Sequence, residues 1–334
     1  MRKYILGFVV LLVILLLYSR FSELQSTLET LQNADPKFIL MALAMQFVWF
    51  IVMAGVFRLL YQIMGIREHL LHLASVAVSA NFINVVAPSA GIGGMAVFVD
   101  DAEKRGHPHG RVVAVSALYI FLDYIAFLVV LSAGFIVLLR RHSLNAGEIT
   151  AGLILFFAVT VIGWLIVIGV RSPERFGKTL GKIIRGVNNL VRPVLRRDYM
   201  QEEQAYLFAA EVADGLATIR TEHRSLARPV FFMVMNFMVQ MSILAFCFLS
   251  FDVDFSLGTI VAGFAVGYLF VIVSPSPSGI GFVEGGMPLV LASLNVPLNQ
   301  GLIVTLAYRA VAFWIPLSIG GIAFRFTQRK KSQA

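Results

Sequence analysis

Residues 257–296 read LGTIVAGFAVGYLFVIV, then SPSPSGIG at 274–281, then FVEGGMPLVLASLNV, and this stretch decides the fold. Prolines and glycines crowded into the middle octet end a helix, because proline lacks a backbone N–H and glycine takes left-handed backbone freely. The apolar run on either side falls short of the about 20 residues needed to cross roughly 30 Å of hydrocarbon. The pattern is two short helical arms around a turn. Residues 70–99 repeat it, with Pro88, Gly91, Gly93 and Gly94 at the break. Broken backbone at membrane depth is tolerated only where protein or a wet cavity satisfies its free N–H and C=O groups. Each break is therefore either a loop outside the membrane or the tip of a re-entrant hairpin around a site.

A membrane is the right solvent for the whole chain. Of 334 residues, 58% are hydrophobic and 14% charged, and the mean hydropathy of +0.83 excludes a water-soluble globule. The net charge of +8 fits basic cytoplasmic loops and not a nucleic-acid partner. Runs long enough to span lie at 38–57, 112–139, 149–170, 229–250 and 301–324. Residues 4–18 follow Met1-Arg2-Lys3 and look like a secretory signal, but Ser19-Arg20-Phe21-Ser22 offers no small-x-small cleavage site, so an uncleaved first span is expected. The expected fold is an all-α polytopic membrane protein, with about six full transmembrane helices and two re-entrant helical hairpins. It forms a single integral membrane domain over 1–334.

Basic residues orient it. Arg2 and Lys3 place the N-terminus inside, Glu23, Glu29 and Asp35 lie outside, and Arg58, Arg67 and His69 return inside. Lys104, Arg105 and Arg111 are inside again, so the first broken stretch starts and ends on the inner face. Arg140 and Arg141 fall outside, against the rule. Asp252 and Asp254 precede the second broken stretch on the outer face, and Arg325, Arg329, Lys330 and Lys331 put the C-terminus inside. That second stretch also returns to the face it left, the opposite one. Val78, Gly91, Ile92 and Gly93 match Val266, Gly279, Ile280 and Gly281 at a constant offset of 188. Two units, about 1–139 and 149–325, then form the inverted repeat of many transporters, with half-helix N-termini at Gly91, Gly93, Gly279 and Gly281 turned toward an anion near the midplane. The plainer reading is a bundle with two Gly/Pro-rich surface loops.

NVVAPSAGIGG at 84–94, SPSGIGFVEGG at 276–286 and LAYRAVAFWIPLSIGG at 306–321 resemble the transmembrane region of lysylphosphatidylglycerol synthases, the flippase-like membrane family, over nearly the whole chain. The resemblance implies a stand-alone member that flips or helps to synthesise aminoacylated phospholipids such as aminoacylated phosphatidylglycerol, or handles glycosylated or polyprenyl lipids. With only a short tail after the last span, the soluble aminoacyl-transferase domain of the bifunctional synthases is not expected here. The resemblance also assigns Glu284 as the acidic residue after the glycine-rich turn, Arg309 as the arginine of the last span and Asp123 as the first-half aspartate. This chain departs from the family at Gly94-Met95-Ala96, where many relatives have Gly-Glu, and at Ile120 and Phe121, where an arginine usually precedes the aspartate.

Ionisable residues at membrane depth cost about 2.5–3.5 kcal/mol each on insertion scales, which makes them functional candidates. Arg309 suits a lipid phosphate, or else pairs with Glu284 or Asp123. Glu284 suits a cationic head group or a proton, or else caps the free N–H groups of its arm. Asp123 lies near the midplane, as a site residue or an interhelical hydrogen-bond partner. Asn84, Asn236 and Tyr268, with Asn81 and Gln240, are head-group ligands or helix-packing glue. Gly263-x-x-x-Gly267 fits close packing, and Asp100 and Asp101 begin a solvated loop. His69, His72, His107 and His109 stand beside basic loops and are read as without acidic or cysteine company, so no metal site is expected. Gly91-x-Gly93-x-x-Ala96 lacks the βαβ context of a dinucleotide site, and no cofactor or catalytic motif is found. Residues 171–228 include a basic amphipathic helix suited to the inner leaflet or to the bundle itself.

The expected function is translocation of an anionic or zwitterionic phospholipid between the leaflets of the cell (inner) membrane. The alternative is a membrane-embedded, lipid-presenting partner of a cytoplasmic transferase docked on 171–228. A homo-oligomer is compatible with either.

Overall fold

The structure is a computed structural model that describes residues 32–86, 92–144, 146–172, 174–179, 181–182, 185–186, 212–213, 223–274 and 276–320. Among them every regular element is helical: α1 (Pro36–Ile63), α2 (Leu70–Val86), α3 (Ile92–Lys104), α4 (His109–Arg140), α5 (Ala146–Arg171), α6 (Ala227–Leu249), α7 (Leu257–Val273), α8 (Phe282–Ser293) and α9 (Leu298–Arg309). A π-helical turn at Ala310–Trp314 carries α9 on toward Gly320. The first expected span at 4–18, the basic C-terminal tail, most of the basic amphipathic segment, Pro88 and Gly91 lie outside the described residues.

Among the described residues, five helices are long and apolar enough to cross a membrane: Pro36–Ile63, His109–Arg140, Ala146–Arg171, Ala227–Leu249 and Leu298–Gly320. They coincide with five of the spans read from hydropathy, each starting two or three residues earlier. Asp35 starts α1 by accepting the Lys37 N–H at 2.9 Å, with Pro36 in the first turn, where its missing N–H costs nothing. Ser256 starts α7 through a capping box with Thr259. Large apolar side chains such as Phe47, Val129, Phe157 and Trp164 stay exposed on the outer faces. Lipid and not water is the solvent for that surface.

Small residues bring the helices close. The Asp35 N–H donates to the Ser250 carbonyl at 2.7 Å, while Gly55, further along α1, lies against Phe232 near the start of α6. Helices α1 and α6 therefore run antiparallel. Gly134 of α4 packs on Ala262 and Ala265 of α7, and Gly258 meets Val137. The Ser143 hydroxyl just beyond α4 donates to the Ser293 carbonyl at the end of α8. The beginning of α7 and the end of α8 thus meet at the same end of α4, its C-terminal end. Gly263 and Gly267 pack on Leu291 and Met287 of α8, so this G-x-x-x-G pattern does serve close packing.

The outer ends of α2 and α3 meet at the other end of α4. Glu68, before α2, is buried and takes both Arg105 Nε and His107 Nε2 on one oxygen at 2.7 Å. His72 bonds Asp101 at 2.8 Å, His109 pairs with Glu103 at 3.1 Å, and Arg111 donates to the Met64 carbonyl. Two expectations need correction. Asp100 and Asp101 belong to helix α3, which runs on through Lys104, and Asp101 is bonded to His72 instead of merely solvated. His72 and His107 do have acidic company in Asp101 and Glu68, distant in sequence, and His109 has it in nearby Glu103. No group of three metal-ligating side chains occurs among the described residues.

Burial works to raise the Glu68 carboxyl, but the hydrogen bonds and charges of Arg105 and His107 outweigh it and hold it below the usual carboxylate range. A lowered folded-state value means that the stabilisation is complete above the unfolded carboxyl's pKa, about 4.3, and is lost as the pH falls through the folded value. Thermal unfolding of the detergent-purified protein is expected to show a wild-type midpoint that drops as the pH is lowered below about 4.3, and a Glu68→Gln midpoint, lower at pH 7, that drops less over the same interval.

Candidate functional site

The second break owes its shape to its serines and glycines. The Ser276 hydroxyl donates to the Ile280 carbonyl at 2.8 Å and receives the Ser274 hydroxyl at 2.6 Å, so the turn closes on itself. Ser278 and Gly279 have φ of 49° and 71°, and a Cβ on Gly279 would stand 2.9 Å from the Val271 Cα. Only glycine fits there. The Glu284 carboxylate, in the first turn of α8, accepts the Gly281 N–H at 2.7 Å with one oxygen. Its other oxygen takes Arg309 Nε from the last turn of α9.

The first break is held differently. Asn84 near the end of α2 reaches across it and accepts the Gly94 N–H at 2.5 Å, and a Cβ on Gly94 would collide with that amide. Ala96 and Phe121 stand 188 residues before Glu284 and Arg309. Both members of the ion pair are therefore absent from the first half together, and a neutral amide caps that arm instead. Gly93 lies in α3 behind this cap. Phe82 and Val85 of α2 pack with Ile280, Phe313, Trp314 and Leu317, so the tip of α2 touches the second break and the π turn.

Between the two breaks lies a cavity of about 500 Å³. Asn84 and Gly94 line it from the first break, and Ser274, Ser276 and Ser278 from the second. Asp123, Asn236, Tyr268 and Arg309 line it as well. Asp123 and Arg309 supply the carboxylate and the basic group of this lining. The site residues anticipated from sequence are thus brought to one place, apart from Gly91, which is outside the described residues, and Gly93, Gly279, Gly281 and Glu284, which stand behind the lining.

The arrangement is that of a chamber lined by polar and apolar side chains together. Arg309 is 5% exposed, its guanidinium lies 4.1 Å from the Phe313 ring centroid, and the π turn after it brings that ring into reach. Because Glu284 divides its two oxygens between Gly281 and Nε, the second prong of the guanidinium fork, Nη2, is buried with no partner. Asn81 Nδ2 and Trp49 Nε1 are likewise buried donors without partners, and Asn236 Oδ1 is a buried acceptor without one. All four residues line the cavity. Buried polar atoms in native proteins are nearly always bonded, so four orphans in the lining of one chamber make it the candidate site. Asp123, 8% exposed, receives the Tyr268 hydroxyl at 3.4 Å.

Residues 4–320 match the family model described as the lysylphosphatidylglycerol synthase TM region, and the chain belongs to that family. It is similar to a UPF0104 membrane protein of Methanocaldococcus jannaschii, 22% identical over 92% of this chain and 90% of that protein. It is also similar to a UPF0104 membrane protein of Pyrococcus horikoshii, 24% identical over 96% of each chain.

Sequence pattern located Glu284, Arg309 and Asp123 but missed the π turn, the Asn84–Gly94 bond and the role of Trp49. No local signal marks a π turn, and Trp49 on an apolar helix looks like any lipid-facing or packing aromatic. Both plainer expectations for the ion pair hold, since Glu284 caps its arm and Arg309 pairs with Glu284. The open prong is what those expectations left out.

Losing one partner leaves a buried charge uncompensated, at a cost of about 3–5 kcal/mol. Glu284→Gln and Arg309→Met are each expected to destabilise by about that amount, and the double variant by clearly less than their sum. Denaturation of the four purified proteins in detergent measures the coupling.

Proposed function

We propose that the protein carries a phospholipid head group between the leaflets of the cell membrane, with the acyl chains remaining in the bilayer. One observation carries this reading: an arginine of an apolar span lines a polar chamber, and the second prong of its guanidinium is buried without a partner. A phosphate oxygen at Nη2, supported by Asn81 and Trp49, satisfies donors that the protein itself leaves unbonded. Intramembrane charge of this kind marks substrate pathways. The protein acts as a transporter and not as an enzyme.

The membrane arrangement belongs to the same proposal. Six spans, residues 4–18 being the first, frame two re-entrant hairpins, α2–α3 from the inner face and α7–α8 from the outer. Both chain termini are cytoplasmic. Several facts support an inverted repeat of units at about 1–139 and 149–325. Helices α1 to α4 recur as α6 to α9 with starts displaced by about 188 residues, and α1 and α6 run antiparallel. The outer ends of the two hairpins meet opposite ends of α4. Both breaks line one cavity. Alternating access then follows from opening one hairpin's side of the chamber while the other stays shut.

Purified protein in liposomes containing fluorescent phosphatidylglycerol or phosphatidylethanolamine provides the test, with outer-leaflet probe quenched chemically. The expected outcome is bleaching well past the outer-leaflet half for wild type, and a loss of at least tenfold in rate for Arg309→Met prepared as a monodisperse, folded sample. Bleaching that stops at the outer-leaflet half with every lipid tried, or transport unchanged in Arg309→Met, contradicts the proposal.

A further inference from the structure

Charge is unevenly settled in the chamber. Arg309 has its counter-ion in Glu284, whereas Asp123, the carboxylate of the lining, has none among the described residues. Its recorded polar partner is a neutral hydroxyl, that of Tyr268. The titratable or charged groups lining the same chamber from α4, α7 and α9 are Tyr119, Tyr124, Tyr268, Tyr308 and Arg309. Helices α6 and α1 contribute Asn236, Gln240, Gln46 and Trp49, none of them charged.

A second observation points to the same place. Asn236 Oδ1 is an acceptor without a donor, on a residue 2% exposed. Its neighbour Phe237 sets the position of α6 here, with its ring 5.7 Å from Tyr268 and 5.9 Å from Phe127. Phe127 is one helical turn beyond Asp123, on the same face of α4, and packs edge-on against Tyr268 at 4.7 Å. Three aromatic rings thus pin α4, α6 and α7 together beside a carboxylate, an orphan amide oxygen and a hydroxyl. A carboxylate bonded only by a neutral hydroxyl, with an amide oxygen that has no donor in the lining of the same chamber, describes a place for a small cation.

We infer that Asp123, Asn236 Oδ1 and Tyr268 form a binding site for a small monovalent cation, sodium or a proton, that accompanies each transport cycle. The binding stands independently of the translocation reading, while the coupling rests on it. A cation is needed because the carrier must reset empty. A head-group ammonium would neutralise Asp123 only while the lipid is loaded, and the closed, empty chamber would then hold a bare charge away from water. A cation drawn from solution serves the return as well. The site also separates two duties: the lipid phosphate takes the Arg309 side of the chamber and the coupling ion takes the Asp123 side.

Thermal unfolding of the full-length protein in detergent, free of added lipid, tests the binding directly. Wild type, Asp123→Asn and Tyr268→Phe are compared in sodium chloride against choline chloride at equal ionic strength, and across pH 8 to 6. A wild-type midpoint raised by several degrees in sodium but not choline, lost in Asp123→Asn and shifted to at least threefold higher sodium in Tyr268→Phe, establishes a sodium site. A midpoint raised by acid instead, with the rise absent in Asp123→Asn, establishes the proton as the ion. Identical responses of wild type and Asp123→Asn to both ions overturn the inference. So does stabilisation by an ethanolamine-bearing lipid with no response to sodium or acid, since the ammonium is then the occupant. If Asp123→Asn does not fold, Tyr268→Phe decides by the same criteria. Absence of lipid flipping in liposomes leaves these results untouched, so the two proposals fail separately.

Discussion

The chamber depends on how one carboxylate spends its two oxygens. Glu284 caps the Gly281 N–H at the start of α8 and holds Arg309 Nε from α9. A helix start leaves N–H groups without intrahelical partners, and a buried arginine needs a counter-charge. A single side chain meets both needs and joins the hairpin tip to the last span. The consequence for function lies in what is left over. Had Glu284 gripped the guanidinium with both oxygens, one fewer of its five N–H donors would remain for a ligand.

The two halves solve the same backbone problem with different chemistry. In the second half, an ion pair supports the break and presents a basic edge to the chamber. In the first half, Ala96 and Phe121 replace both members, and Asn84 caps the arm with a neutral amide. A lone glutamate or arginine retained there would be a buried unpaired charge, which accounts for the pair being absent as a unit. The halves also differ at their outer ends. The α2–α3 ends are tied by Glu68 to Arg105 and His107, whereas the Ser143–Ser293 bond at the α7–α8 end is neutral.

Much of this was legible in the sequence because hydropathy and proline or glycine breaks are local signals. The five long helices and both breaks fall where apolar runs and SPSPSGIG place them. Glu284, Arg309 and Asp123 stood out because charge is rare in such runs. The unread features are those made by three-dimensional proximity. Glu68 and His107 are 39 residues apart and Asp123 and Tyr268 are 145 apart, and no periodicity links them. Asp100 and Asp101 were misjudged as a solvated loop because the hydropathy window ends before the helix does. The vacancy at Arg309 Nη2 depends on how another residue's carboxylate is shared, which no sequence pattern encodes.

The central claim is that two hairpins enter from opposite faces and meet at this chamber. Single cysteines introduced at Leu71, Lys104, Asp254 and Ser293, in a Cys247→Ala background, test it through labelling with a membrane-impermeant maleimide in oriented vesicles. The account predicts that positions 71 and 104 label from one face only, and 254 and 293 only from the other. Labelling of 71 and 104 from opposite faces, or of all four positions from the same face, would contradict it.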